Sequence, residues 1–189
     1  MTIRLGVPDR WDYPTFDPAS HRVYVAHGDR VTVVDGHDGA ILGEVTGFPG
    51  GTHGIVEVSA DGHGYADDGR AGDSGTITVI DPKADRAIAT VDAGGKLEFG
   101  VSGLNGKLYV NGAGRGEIVR VDTQTNLADA HWPMPGCVSP HGLAIDRASG
   151  THHDDAACRS FQDRSSSCFS TLCLKASVPP QTDLKDNGP

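Results

Sequence analysis

No stretch of this chain approaches the roughly 18 consecutive apolar residues that a membrane-crossing helix needs, which excludes such a helix as its organising element. Basic residues are in the minority. Sixteen Lys and Arg against 25 Asp and Glu give a formal charge of -9, which disfavours the broad attraction to phosphate backbones on which non-specific nucleic-acid binders depend. The opening "MTIRLGVPDRWDY" lacks the charged, apolar, small-residue order of a secretory signal, so a cytosolic chain is the expectation. Cysteine is sparse and lopsided: of Cys137, Cys158, Cys168 and Cys173, three follow residue 150, so they form no framework across the chain. The signatures of common chemistries are missing too. There is no Gly-x-Ser-x-Gly, no His-Glu-x-x-His, no phosphate-binding loop and no dinucleotide fingerprint, which removes positive evidence for a hydrolase, a zinc protease or a nucleotide enzyme.

Glycine is scarce in one place only. Of 26 glycines, all but Gly188 lie in residues 1–150, so a turn-rich architecture is predicted to end near residue 150. At 189 residues one domain is expected, large enough to need no disulfide or metal for stability.

Within those 150 residues one grammar recurs, in 22–45, 76–94 and 107–132: strand, glycine turn, strand closing on Val-Asp or Ile-Asp, polar turn, strand. Val31 and Val33 flank Thr32, and Ile77 and Val79 alternate with Thr76 and Thr78, the period of two of a half-buried β-strand. Each middle strand closes on an aspartate, Asp35, Asp81 or Asp122, whose carboxylate can accept hydrogen bonds from amides two residues on and so start a turn. These aspartates are 46 and 41 residues apart, and a second marker, Gly54, Gly100 and Gly142, is spaced by 46 and 42. That period is the length of a four-stranded propeller blade.

The segments "RVYVAHG", "KLYVNGAG" and "GTITVIDPKADRAIATVDAGG", with "HG" or "FG" before a strand, resemble the YVTN-repeat β-propellers of the YncE-like family over about residues 5–150. The tetrad is degenerate here, as Tyr24-Val25-Ala26-His27 and Tyr109-Val110-Asn111-Gly112. The resemblance implies an all-β fold: a partial, open propeller of about three four-stranded blades plus the first strand of a fourth in residues 1–150. Residues 151–189, with "SSS", "PP" and few aliphatics, are expected to be a low-complexity, poorly ordered tail. It implies a non-enzymatic scaffold that binds a ligand or partner, and full-length relatives exported to the periplasm. The alternative it leaves is a lactonase-type or haem-d1-type propeller enzyme or cofactor-binding relative.

Two departures from the family stand out. A ring of about seven blades would need about 300 residues, so three blades imply a shortened member with exposed edges, expected to self-associate or take a protein partner. The distance from the strand Tyr to the turn Asp is 11 residues in the first unit and 13 in the third, but 16 from Tyr65 to Asp81, around "DDGRAGDSG". That excess reads either as a seam near 69–75 where a blade was lost or as a lengthened surface loop.

Candidate chemistry centres on the strands that line the channel. His53 and His141 share a place in their repeats, with Phe99 in the unit between, and the three could face a common funnel and take a ligand. The reading preferred over it makes these histidines repeat-consensus residues whose imidazoles tie neighbouring blades. Asp61, Asp67, Asp68 and Asp73 invite a calcium reading but lack EF-hand spacing, so solvated turn carboxylates are expected. His152, His153, Asp155, Cys158, Cys168 and Cys173 lack the knuckle spacing of a zinc site. Cys137 reads as a small buried residue. No metal, cofactor or catalytic residue is predicted, and nucleic acid and membrane are not expected partners.

Overall fold

The computed structural model describes residues 2–7, 11–48, 51–56, 62–67, 74–103, 106–146 and 151–156, with only the backbone for 56, 144–146 and 151–156. Among the described residues there are fourteen β-strands and no helix. The first sheet holds β1 (Trp11–Asp17), β2 (Arg22–His27), β3 (Arg30–Asp35) and β4 (Ile41–Val45), paired antiparallel in that order. The second holds β5 (Gly54–Val56), β6 (Gly64–Asp67), β7 (Thr76–Asp81) and β8 (Arg86–Asp92). The third holds β9 (Gly100–Ser102), β10 (Lys107–Gly112), β11 (Glu117–Asp122) and β12 (Leu127–Pro133). A fourth unit pairs β13 (Pro140–Asp146) with β14 (Thr151–Ala156). Among the described residues the chain forms a partial propeller of three four-stranded blades and a two-stranded fourth unit, its sheets open.

The structure therefore runs one strand beyond the sequence expectation. "THHDDA" shows little apolar alternation, yet its backbone completes a hairpin with β13, because a strand needs a partner for its amides more than it needs a particular side chain. The remaining tail and most of the proposed seam, residues 157–189 and 68–73, lie outside the described residues.

The turn chemistry read from the aspartates is present in every blade. Asp35 Oδ1 accepts from the amides of His37 and Asp38, Asp81 Oδ1 from Lys83 and Ala84, and Asp122 Oδ1 from Gln124 and Thr125. Four residues after each aspartate the chain turns left-handed, at Gly39 (φ 78°), Asp85 (φ 49°) and Asn126 (φ 54°). Each third strand then carries one bulge against the fourth, after Val33, Val79 and Arg120.

Alternation gives each blade two faces. Tyr24, Val31, Val33 and Val45 of blade 1 pack on Ile55, Ala66 and Ile80 of blade 2. Tyr65, Ile77, Val79 and Val91 on the opposite face of blade 2 pack on Leu108, Val110, Val119 and Val121 of blade 3. Tyr109 and Ile118 of blade 3 receive Leu143 of the fourth unit, beside Met134 and Cys137. Cys137 is buried as expected, and it is also disulfide-bonded. At about 25 cal/mol per Å² of apolar surface removed from water, these inter-blade cores are the main source of cohesion.

Candidate functional site

Strand pairing identifies the equivalent positions at the inner ends of the blades. Thr15, Val56 and Val101 each pair with the tyrosine of the neighbouring strand, Tyr24, Tyr65 and Tyr109. Three residues before them stand Asp12, His53 and Glu98. Backbone bonds agree: the His53 amide donates to the Asp67 carbonyl (3.1 Å) and the Glu98 amide to the Asn111 carbonyl (2.9 Å), Asp67 and Asn111 each lying two residues beyond the tyrosine.

This register corrects the sequence alignment by one residue. Aligning Gly54 with Gly100 puts Phe99 opposite His53, whereas pairing puts Glu98 there. A one-residue slip turns a strand side chain to the other face, so the difference decides which group meets the histidine. Phe99 stacks at a tilt on Tyr13, centroids 5.0 Å apart, and packs against the Tyr109–Ile118 cluster.

At these inner ends acid and imidazole alternate from blade to blade. His53 Nδ1 lies 3.5 Å from Asp12 Oδ2 and 3.0 Å from Glu98 Oε2, and His141 Nδ1 lies 3.4 Å from the same Glu98 oxygen. Lys96 Nζ closes on the other oxygen of Glu98 at 2.5 Å. Glu98 is the centre of the cluster, its side chain 1% exposed, while those of His53, Lys96 and His141 are 17%, 30% and 49% exposed. Burial alone would raise the Glu98 pKa, but His53 and Lys96 outweigh it and bring it down to about 2. In return Glu98 raises the pKa of His53, against the opposing effect of burial. His53 and His141 thus tie three successive blades through one carboxylate. Asn111 Nδ2 adds hydrogen bonds of 3.1 Å to the carbonyls of His141 and Gly142.

Asp67 behaves differently from the solvated turn carboxylate expected of it. It closes β6 at 1% exposure, and its Oδ1 accepts from the Gly54 amide at 2.6 Å. Its Oδ2 has no hydrogen-bond partner among the described residues. Burial raises its pKa well above the carboxylate norm, against the pull of His53 and the Gly54 amide, so the group is held toward its neutral form. A Cβ at residue 54 would lie 2.9 Å from Asp67 Oδ1, so glycine there lets the carboxyl approach the amide without displacement.

The cluster therefore offers two partly exposed imidazoles, an ammonium and a partly exposed carboxylate, Asp12, on a buried carboxylate frame. Such an array can donate and accept hydrogen bonds to a small polar ligand. Among the described residues no group of three or more His, Cys, Asp or Glu is arranged to hold a metal ion. Asp61, Asp68, Asp73, Cys158, Cys168 and Cys173 lie outside the described residues, and of His152, His153 and Asp155 only the backbone of β14 is described. Sequence reasoning missed Asp12, Glu98 and Asn111. Their signal is the register with the repeated tyrosine, not a motif of their own.

No family model matches the chain, and no curated protein matches it in sequence. Solved structures do match in fold. Hydrazine synthase of Kuenenia stuttgartiensis is similar with a TM-score of 0.65 at 20% identity, over 76% of this chain and 42% of that one. Dihydro-haem d1 dehydrogenase NirN, solved in complex with DHE, is similar with a TM-score of 0.60 at 19% identity, over 80% of this chain and 34% of that one. The chain spans less than half the length of either. At these identities the likeness establishes the propeller scaffold and no more.

Proposed function

We propose that this chain is a non-enzymatic propeller scaffold of the YncE-like kind, which binds a small polar ligand at the inner-end cluster of His53, Glu98 and His141 beside Phe99. The observation that carries the reading is the convergence of two partly exposed imidazoles from different blades on one buried carboxylate. Each imidazole turns Nδ1 to Glu98, which leaves Nε2 for other partners; that of His141 lies 3.3 Å from Ser139 Oγ. Ser139 Oγ beside His141 Nε2, with Glu98 beside its Nδ1, also sets a hydroxyl, an imidazole and a carboxylate in line, so the enzymatic alternative keeps a candidate nucleophile and base.

The test is a titration of the purified chain with a panel of small dicarboxylates, amino acids, Zn²⁺ and haem, following the imidazole Cε1–H signals by NMR. The expected result is a saturable shift of the His53 and His141 signals by an organic member of the panel, abolished in His53→Ala. A stoichiometric metal or a Soret band in the purified protein would overturn the reading in favour of a cofactor-binding relative. Absence of any saturable shift would overturn it as well.

A further inference from the structure

The fourth unit enters its first strand through "SPHG", the counterpart of "GTHG" at the entry of blade 2. Gly51 opens the blade 2 segment in the left-handed region (φ 87°), and Ser139 opens the other in the same region (φ 58°). Glycine adopts that conformation freely, whereas a residue with a Cβ does so at some cost. The fourth unit thus carries a hydroxyl where the backbone favours glycine. Pro140 follows with its φ fixed by the ring, which stiffens the link from Ser139 to His141.

That hydroxyl meets the imidazole two residues on. Ser139 Oγ lies 3.3 Å from His141 Nε2, and His141 Nδ1 lies 3.4 Å from Glu98 Oε2. Both separations are long for hydrogen bonds, a looseness usual in a nucleophile and its base before an electrophile arrives. Glu98, with a pKa of about 2, is ionised at neutral pH and can only accept, so Nδ1 carries the proton and Nε2 turns its lone pair to the hydroxyl. The carboxylate is itself held: its side chain is 1% exposed, and Lys96 Nζ takes its other oxygen at 2.5 Å. Ser139 is half-buried and the His141 side chain 49% exposed, so a solute reaches the pair without opening the fold. His53 meets the same Glu98 oxygen but has Gly51 in place of the serine.

We propose that Ser139 Oγ is an acyl-accepting nucleophile, with His141 as its base and Glu98 as the residue that positions His141, and that it captures the acyl group of an activated ester such as an aryl ester or a thioester. Oγ attacks the carbonyl carbon while Nε2 takes the hydroxyl proton. The bond from that carbon to the leaving oxygen or sulfur then breaks, and the departing aryl oxide or thiolate takes the proton from Nε2. The product is an ordinary alkyl ester of serine, whose leaving group is poorer than an aryl oxide or a thiolate. Capture therefore outruns release, and the reaction stops near one acyl group per chain. This goes beyond the ligand reading and fits a scaffold that does not turn over.

The test treats the full chain with p-nitrophenyl acetate, following nitrophenolate by absorbance and acetylation by mass spectrometry. The expected result is a burst that approaches one equivalent per chain, with the acetyl group located on Ser139 by peptide fragmentation. Ser139→Ala should abolish the burst, and so should Ser139→Gly, which restores the residue of blade 2 and relieves the left-handed backbone. His141→Gln should slow it about a hundredfold or more. Glu98→Gln should slow it about tenfold or more and shift its pH profile, which a loss of packing alone would not do. Circular dichroism establishes that each variant is folded in the assay. No burst in the wild type, a burst that survives in Ser139→Ala, or acetyl groups on lysines with none on Ser139 would each overturn the proposal. The imidazole shifts that test the ligand reading are measured without an ester, so either reading can fail alone.

Discussion

Leu108 and Val121 in blade 3 and Val23 and Val34 in blade 1 occupy the same positions of one repeated strand pair. The blade 3 pair is 1% and 0% exposed, whereas Val34 is 4% exposed and Val23 remains partly open. Residue type and register are alike, so the difference comes from the neighbour. Blade 2 covers blade 3, while two residues of the N-terminal segment, Ile3 and Leu5, cover blade 1. An apolar stripe records that a face was built for a partner; it does not say whether the partner is in the same chain.

Substitution at the two ends sharpens that comparison most. Leu108→Ala should cost about 3 kcal/mol in urea unfolding, since it opens a cavity in a packed inter-blade core. Val23→Ala, its counterpart, should cost less than about 1 kcal/mol in the monomer, where much of the site is already wet. Equal costs would mean that the blade 1 face is covered as fully as the interior ones.

The inner-end cluster predicts a pH profile of comparable size. Glu98 has a folded pKa of about 2 against an ordinary 4.5, so its contribution of about 3 kcal/mol is present above pH 4.5 and is lost as pH falls toward 2. His53 is shifted the other way. Its contribution is complete below its ordinary 6.5 and is lost as pH rises through its higher folded pKa. Stability should therefore peak between these limits, and Glu98→Gln should flatten both flanks in pH-dependent unfolding. A profile unchanged by that variant would mean that the blades hold together by their apolar faces alone.

The smallest effect, and the most diagnostic of the polar side, is at Asp67. A buried carboxyl with a raised pKa favours the folded state at low pH and loses that contribution as pH rises through its folded value. Asp67→Asn removes the titration while keeping the shape, and blade 3 already carries the neutral residue, Asn111, at the equivalent position. Stability at neutral pH should be unchanged or higher by about 1 kcal/mol, measured against wild type by thermal unfolding. A clear loss would show that the ionised form is required.

Much of the fold was legible in advance. The aspartates at 35, 81 and 122 announced their turns, because the carboxylate meets amides only two or three residues away. The alternation of Val31 and Val33 or Ile77 and Val79 announced the strands and their buried faces. The candidate site was half legible. His53 and His141 were singled out and converge, but the group on which they converge was hidden behind a one-residue offset. Asp67 was misread because its neighbours in sequence are polar, whereas its neighbours in space are Gly54, His53 and the next blade.

By itself the sequence determined what depends on short separations along the chain: turn type, strand period, blade length and the apolar stripe on each face. These follow from local hydrogen bonding and from the two-residue alternation of a pleated strand. Tertiary structure alone decided which stripe is covered, which of Glu98 and Phe99 meets His53, and that β14 forms a hairpin from unpromising residues. Those outcomes depend on register between strands and on packing between blades, which bring together groups about forty residues apart, as at His53 and Glu98.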